Sequence, residues 1–266
     1  MKGDFEMIKH SFDTGIKVYP VADVHFGSIL HKKKEWESFV KKIAEEENAF
    51  LILDGDLLNN NTRSAVGVPW DDCIRPREAK RMMVDFLAPI SEKILCITSG
   101  NHETRRDNRD ADNDLTYDIA CKLNIEELYR ENACFMLVNC GKKKHGARWA
   151  ETPAASYVFC VTHGNGGGIL GGGALNKNER FGTAAMDGVD CLIAAHTHKG
   201  QISRPAKLTV DRQNLQIKVR EMLIVSCVSW MNYGGYALRN MYAPNTTGEP
   251  QSLILSEKER KISVLW

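Results

Sequence analysis

Phe50-Leu-Ile-Leu-Asp-Gly-Asp56 is the stretch whose reading decides the fold. Its unbroken apolar run is strand-length and bounded by turn chemistry, so it reads as a buried strand. It stops at Asp56, a carboxylate with no apolar surroundings left to enter. Asp56 therefore sits at a strand end, the place where open α/β sheets hold their ligands.

Working outward, Ile16 to Val21 reads as a strand delivering Asp23-Val-His25-Phe-Gly27, where a glycine permits a sharp turn after two polar side chains. Between the two strands, Lys33 to Asn48 spaces Trp36, Phe39, Val40 and Ile43 as one face of a helix. Past Asp56, a polar loop from Leu57 to Asp72 precedes a second amphipathic helix from Pro76 to about Ser91, which Pro89 is expected to bend or end. The strand Lys93 to Thr98 then runs into Ser99-Gly-Asn-His-Glu103. The first half is thus β-α-β-α-β, with polar motifs at each carboxyl end.

Farther on, Asp114 to Leu123 predicts a short helix, Cys134 to Asn139 a strand, and Gly141 to Trp149 a polar excursion. Ser156 to Val161 is a strand leading to Thr162-His163-Gly164, and Asn165 to Gly173 is a glycine-rich loop able to move or to approach a ligand closely. Cys191 to Ala195 leads to His196-Thr-His198. Lys207 to Val210, Leu215 to Arg220, Met222 to Ser229, Leu253 to Leu255 and Ile262 to Trp266 read as strands of a second sheet packed on the first. No repeat or linker interrupts the chain, so one domain over residues 1–266 is expected.

Composition narrows the function classes. With 266 residues and 43% hydrophobic content, the chain can bury a large core. Its 35 Lys plus Arg against 34 Asp plus Glu give a net charge of +1, so no bulk field recruits nucleic acid or an anionic membrane. Nucleic acid remains a possible substrate that charge does not indicate. No apolar stretch approaches the roughly 20 residues of a membrane span, and the charged Met1 to His10 is no signal peptide. A cytoplasmic location is expected. The eight cysteines lack a zinc-type CxxC pair and mostly sit in apolar runs, as thiols of a reducing compartment do.

Singly, the motifs are weak: a D-x-H is usually a solvated turn, an aspartate after a strand is often a helix cap, and a lone histidine near the core is usually hydrogen-bonded. Together they are informative, because five of the eight histidines lie in them and each motif follows an apolar strand. Asp23, His25, Asp56, Asn101, His163, His196 and His198 mix oxygen with imidazole, the donor set that suits Mn, Fe, Zn or related ions.

In this order (D-x-H, G-D, G-N-H-E, H, H-x-H) the motifs resemble those of the calcineurin-like metallophosphoesterases, over about the first 200 residues. The resemblance implies an α/β fold of the αββα sandwich type, two mixed β-sheets flanked by helices, with a dinuclear centre at the strand ends. It implies that Asp23, His25 and His198 hold one metal, Asn101, His163 and His196 the other, and that Asp56 bridges. Manganese is the first expectation, with iron, zinc or nickel as the others. The resemblance also implies attack on phosphorus by a metal-bridging hydroxide, His102 as general acid, and Glu103 orienting His102 through a hydrogen bond. Ala195 replaces the family's usual glycine. Gly55-Asp-Leu-Leu-Asn-Asn60 lacks the Asp-Arg pair of protein serine/threonine phosphatases, and Leu57 to Asn61 lacks the tyrosine of purple acid phosphatases.

The expected partner is a small phosphoester, first a phosphodiester such as a nucleotide-derived or cyclic nucleotide, or a short nucleic-acid end. A phosphomonoester is the alternative, and a non-catalytic metal-binding scaffold for protein interaction is the alternative of a different class. Arg105 is the expected substrate contact, although the run Arg105 to Asp114 carries more aspartates than arginines and pairs readily with itself. Trp70, Trp149, Trp230 and Tyr233 are candidates for base stacking whose commoner fate is packing. The aromatic stretch Trp230 to Tyr242 is where a homo-oligomer interface would lie.

Overall fold

A computed structural model describes residues 3, 5–62, 69–104, 112–144, 151–166, 171–245 and 247–266. Among them, two six-stranded mixed sheets carry the architecture. The first has the order β14(Ile262–Leu265), β13(Ser252–Leu255), β2(Ile16–Val21), β3(Ala49–Asp54), β4(Ile94–Thr98), β5(Tyr129–Arg130), with β2 to β5 parallel and β13 antiparallel to its neighbours. The second runs β1(Ile8–Phe12), β6(Cys134–Lys144), β7(Glu151–Thr162), β8(Cys191–Ala194), β12(Leu223–Ser226), β9(Gln201–Ser203). Its β7, β8 and β12 are parallel.

The β3 run is buried on both faces, which is why it shows no alternation. Leu51 and Leu53 pack under α1(Lys33–Glu45), α2(Pro76–Leu87) and the later helix Leu115–Lys122, together with Trp36, Phe39, Met83 and Ile119. Ile52 points the other way, into the layer between the sheets, where Val18 and Cys96 meet Val138, Phe159 and Ile193. The outer face of the second sheet holds Cys160, Leu192 and Ile224. Gly182, just past the helix Gly171–Arg180, lies against that face, since a Cβ there would meet Met222, Leu192 and Ile224. Helices on both outer faces complete the αββα sandwich.

Several expectations need correction. Met82 and Phe86 pack partly buried on the core side of α2, but α2 ends at Leu87 and Ala88–Lys93 tighten into a 3-10 segment holding Pro89. The strand from Cys134 extends to Lys144, so the start of the expected excursion is ladder paired with β7; residues 145–150 lie outside the described residues. Gly171 to Gly173 open a helix, while residues 167–170 lie outside the described residues. Ile8–Phe12 forms a strand that its mixed pattern concealed. β13 and β14 join the first sheet, because Leu253 pairs with Val18 beside β2.

β10(Ala206–Asp211) and β11(Gln216–Glu221) belong to neither large sheet but form a two-stranded ribbon. Leu208, Val210, Ile217 and Val219 are each about 70% exposed on one face. Lys207 and Arg220, on the other face, pair with Asp187, and Arg220 also reaches Asp190. These pairs hold the ribbon with its apolar side outward.

Six of the cysteines are buried, and Cys73 and Cys121 are exposed. No helix among the described residues is long and apolar enough to cross a membrane.

Candidate metal centre

The carboxyl ends of β2, β3 and β4 in one sheet and of β7 and β8 in the other open at the same end of the sandwich. Asp23 and His25 follow β2, Asp56 follows β3, and Asn101 and His102 lie in α3(Asn101–Glu103) after β4; His163 follows β7, and His196 and His198 follow β8. Leaving a strand and turning at once demands unusual backbone. Asp23, His25, Asp56, His196 and His198 all have φ between 48° and 70°. Left-handed conformation costs a non-glycine residue about 1–3 kcal/mol, so the surroundings must impose it. Backbone hydrogen bonds do so: Asp23 N–H donates to Gly55 O (3.1 Å) and His25 N–H to Asp56 O (2.9 Å).

The glycines of two motifs leave room for this crowding. Gly55 has φ +73°, and a Cβ there would lie 2.7 Å from His163 Nδ1. At Gly100 a Cβ would collide with the Asp56 carboxylate and backbone nitrogen.

Each central carboxylate divides its oxygens. Asp23 Oδ2 accepts His196 N–H (3.0 Å), while Oδ1 faces His198 Nε2 (3.3 Å), His25 Nε2 (3.8 Å) and His163 Nε2 (3.9 Å). Asp56 Oδ1 accepts His102 N–H (2.8 Å), while Oδ2 faces His163 Nε2 (3.3 Å), His25 Nε2 and His102 Nε2 (both 3.9 Å). His163 is held by Nδ1–H donating to Asp54 O (2.7 Å), which leaves Nε2 turned inward. His102 Nδ1–H donates to Asn59 O (2.6 Å). His25 Nε2 and His198 Nε2 stand 3.1 Å apart.

Burial favours neutral groups here, and charge opposes it. For Asp56, burial would raise the carboxyl pKa, but His163, His102 and His25 hold it well below the usual range. Asp23 is likewise lowered against the pull of burial, chiefly by His198. Burial would lower His163 and His198, yet the facing carboxylates raise both. His25 is driven well down by burial and by neighbouring imidazoles, and His196 is lowered by burial and by His163. Two buried carboxylates thus demand positive charge, a demand that a divalent cation meets as the ligands give up protons.

Among the described residues, three groups have donor atoms lying within 4.8 Å of one another: Asp23, His25 and His198; Asp56, His163 and His196; and His25, Asp56 and His102. Asp23 Oδ1, Asn101 Oδ1 and His163 Nε2 are buried without a hydrogen-bond partner. Buried polar atoms are seldom left so, and these suit a divalent-cation site.

Glu103 requires correction. Its carboxylate accepts the backbone N–H groups of Asp56, Leu58 and Gly100 (3.0–3.1 Å), so it shapes the loop carrying Asp56 while Asn59 O holds the His102 ring. Burial raises the Glu103 carboxyl to about 7. Arg105 and Trp149 lie outside the described residues. Trp230 is core, stacked edge-on against Trp36, whereas Trp70 and Tyr233 are exposed. Sequence reasoning missed Asp54 and Asn59, which act through backbone carbonyls; the run Asn59-Asn60-Asn61 was the available signal, since asparagine tolerates left-handed backbone.

A two-sheet sandwich that gathers carboxylates and imidazoles at its strand ends defines a class of metal-binding hydrolase. The calcineurin-like phosphoesterase family model matches residues 16–200, from the first residue of β2 to just beyond His198, and the chain belongs to that family. It is a metal-dependent phosphoesterase. Among solved structures it is similar to a metallophosphoesterase from Sphaerobacter thermophilus, at 13% identity over 94% of this chain and 87% of that one, with a TM-score of 0.41. It is also similar to a conserved uncharacterized protein, described as a predicted phosphoesterase, from Streptococcus pneumoniae TIGR4, at 9% identity over 94% and 97%, with a TM-score of 0.32. No curated protein matches the chain.

Proposed function

We propose that the protein hydrolyses small phosphodiesters, nucleotide-derived or cyclic, with two divalent ions, manganese first among them. The observation that carries this reading is the pair of ligand groups, Asp23-His25-His198 and Asp56-His163-His196, facing each other through the inner oxygens of the two aspartates. Asp23, His25 and His198 would hold one ion, Asn101, His163 and His196 the other, with Asp56 shared. Bound there, the ions supply charge neutralisation at the phosphoryl oxygens and a water acidic enough to act as nucleophile near neutral pH.

The remaining work falls to the chain. Oδ1 of Asp56 and Oδ2 of Asp23 are tied to backbone N–H groups, so the inner oxygens keep their direction without reorganising. His102, as the imidazolium with Nδ1–H fixed on Asn59 O, presents Nε2–H to the same centre and gives that proton to the departing oxygen, which leaves the neutral Nδ1–H tautomer.

Turnover of bis-p-nitrophenyl phosphate against p-nitrophenyl phosphate tests the reading, with stripped protein given Mn, Ni, Zn or Mg in turn. A higher kcat/KM on the diester is expected. Preference for the monoester would replace it with the phosphomonoesterase reading, and silence on every ester with metal bound would favour a non-catalytic scaffold.

A further inference from the structure

His102 is held from two sides by one loop. Its ring Nδ1–H donates to Asn59 O (2.6 Å), and its own backbone carbonyl accepts Asn60 Nδ2–H (3.1 Å). Asn60 sits at φ +45°, a left-handed turn that asparagine tolerates, so hydrogen bonds rather than the backbone alone fix the path of the loop. Thirteen residues after Asn59, the Asp72 carboxylate gathers the loop. Asn61 N–H donates to Oδ2 (2.9 Å), and the side-chain amides of Asn61 (2.9 Å) and Asn59 (2.5 Å) both donate to Oδ1. Asp72 is itself seated on the strand-end loop of β2, through the bridge Ser28–Asp72 and the bond from Cys73 N–H to Gly27 O (2.8 Å).

We infer that Asp72 is a positioning residue for the reaction, acting through the Asn59-Asn60-Asn61 loop to fix the orientation and tautomer of His102. This rests on the general-acid reading of His102. Charge-assisted hydrogen bonds are about twice as strong as neutral ones, and a single carboxylate spanning Asn59 and Asn61 leaves Asn60 no freedom to relax. With the loop so clamped, the Asn59 carbonyl stays against Nδ1–H, and the transferable proton is confined to Nε2, the nitrogen that faces Asp56. Without the clamp the imidazole can turn, and Nε2 no longer points at the departing oxygen. Among the described residues, the side-chain hydrogen bonds of Asp72 go to Asn59 and Asn61 and its bridge to Ser28, so its loss should spare metal binding and ground-state binding.

Asp72→Ala and the isosteric Asp72→Asn, which keeps one carbonyl oxygen, are compared with His102→Ala and with the double variant Asp72→Ala/His102→Ala. Each is assayed metal-loaded on a phosphodiester with a p-nitrophenolate leaving group and on one with an alkoxide leaving group. Asp72→Ala is expected to lower kcat on the alkoxide diester by ~10–100-fold, as loss of an outer hydrogen-bond partner does. The activated diester should be affected far less, with KM and metal content unchanged. Asp72→Asn should fall between, and Asp72→Ala should add nothing once His102 is gone. In proton NMR of the protein loaded with diamagnetic zinc, the downfield His102 Nδ1–H resonance should broaden or vanish in Asp72→Ala.

If His102→Ala discriminates between leaving groups and Asp72→Ala does not, the positioning role is overturned while the acid reading stands. If neither discriminates, the acid reading itself has failed, and an unchanged Nδ1–H resonance in Asp72→Ala would then overturn the positioning as well.

Discussion

Asp23 and Asp56 treat their two oxygens alike, giving one to a backbone N–H and turning the other to the cluster of imidazole nitrogens. That division makes the site sensitive to its glycines. Gly100→Ala, whose Cβ would collide with Asp56, is expected to lower activity by about 100-fold or more, the usual cost of an ångström-scale displacement at reacting groups. Steady-state kinetics at matched metal content check this, and near-normal turnover would show that the loop can yield. Glu103 makes a different prediction because it serves backbone donors. Glu103→Gln should cost about 1–3 kcal/mol of stability, as one of its acceptor oxygens becomes a donor facing another donor. Urea unfolding measures that loss, and Glu103→Gln should leave the ratio of rates on good and poor leaving groups unchanged. A changed ratio would return Glu103 to the service of His102.

At the scale of elements, the parallel strands do the positioning, and half-buried histidines outside the ligand groups set part of the acid stability. His10 in β1 is driven below its ordinary value of 6.5 by burial, with Nε2–H donating to Leu95 O (2.8 Å); His31 is lowered in the same way. A depressed histidine binds its proton more weakly in the folded chain than in the unfolded one. Its contribution to stability is therefore present above pH 6.5 and is lost as pH falls below it. His10→Gln, which retains a donor for Leu95 O, should flatten the decline in melting temperature between about pH 6.5 and 5 without abolishing it, as His31 remains. An unaltered slope would remove His10 from the account. Elements whose sides were decided locally were legible: the run to Asp56 is buried on both faces and the α1 stripe packs as its spacing required. The ribbon β10–β11 was not, because its alternation correctly gave strands while Lys207 and Arg220 pairing with Asp187 reversed the face that an amphipathic rule would bury. Nor was the membership of β13, since a strand's sheet depends on a chain reversal that no local pattern encodes. In the candidate site, the side chains that the fold brings together were legible by residue type, whereas Asp54 and Asn59, acting through backbone carbonyls, left no such mark.

Across the whole molecule, Trp230 links the core to the metal centre. Its ring packs against Trp36 and Phe39, its backbone N–H donates to Asp23 O (3.0 Å), and its backbone carbonyl accepts Lys32 N–H (2.8 Å). Trp230→Ala should destabilise by about 3–5 kcal/mol and weaken metal retention together, because the cavity lies beneath the loop that carries Asp23 and His25. Thermal unfolding with and without chelator checks the coupling, and loss of stability with metal affinity intact would separate core from site. The proposed function turns on Asp56 as the shared ligand. The most direct measurement is the metal content per chain, by elemental analysis after dialysis against limiting manganese, of the natural protein and of Asp56→Asn. The account predicts two ions per chain in the first, fewer in the second, and activity lost with them; full metal and normal turnover in Asp56→Asn would contradict it.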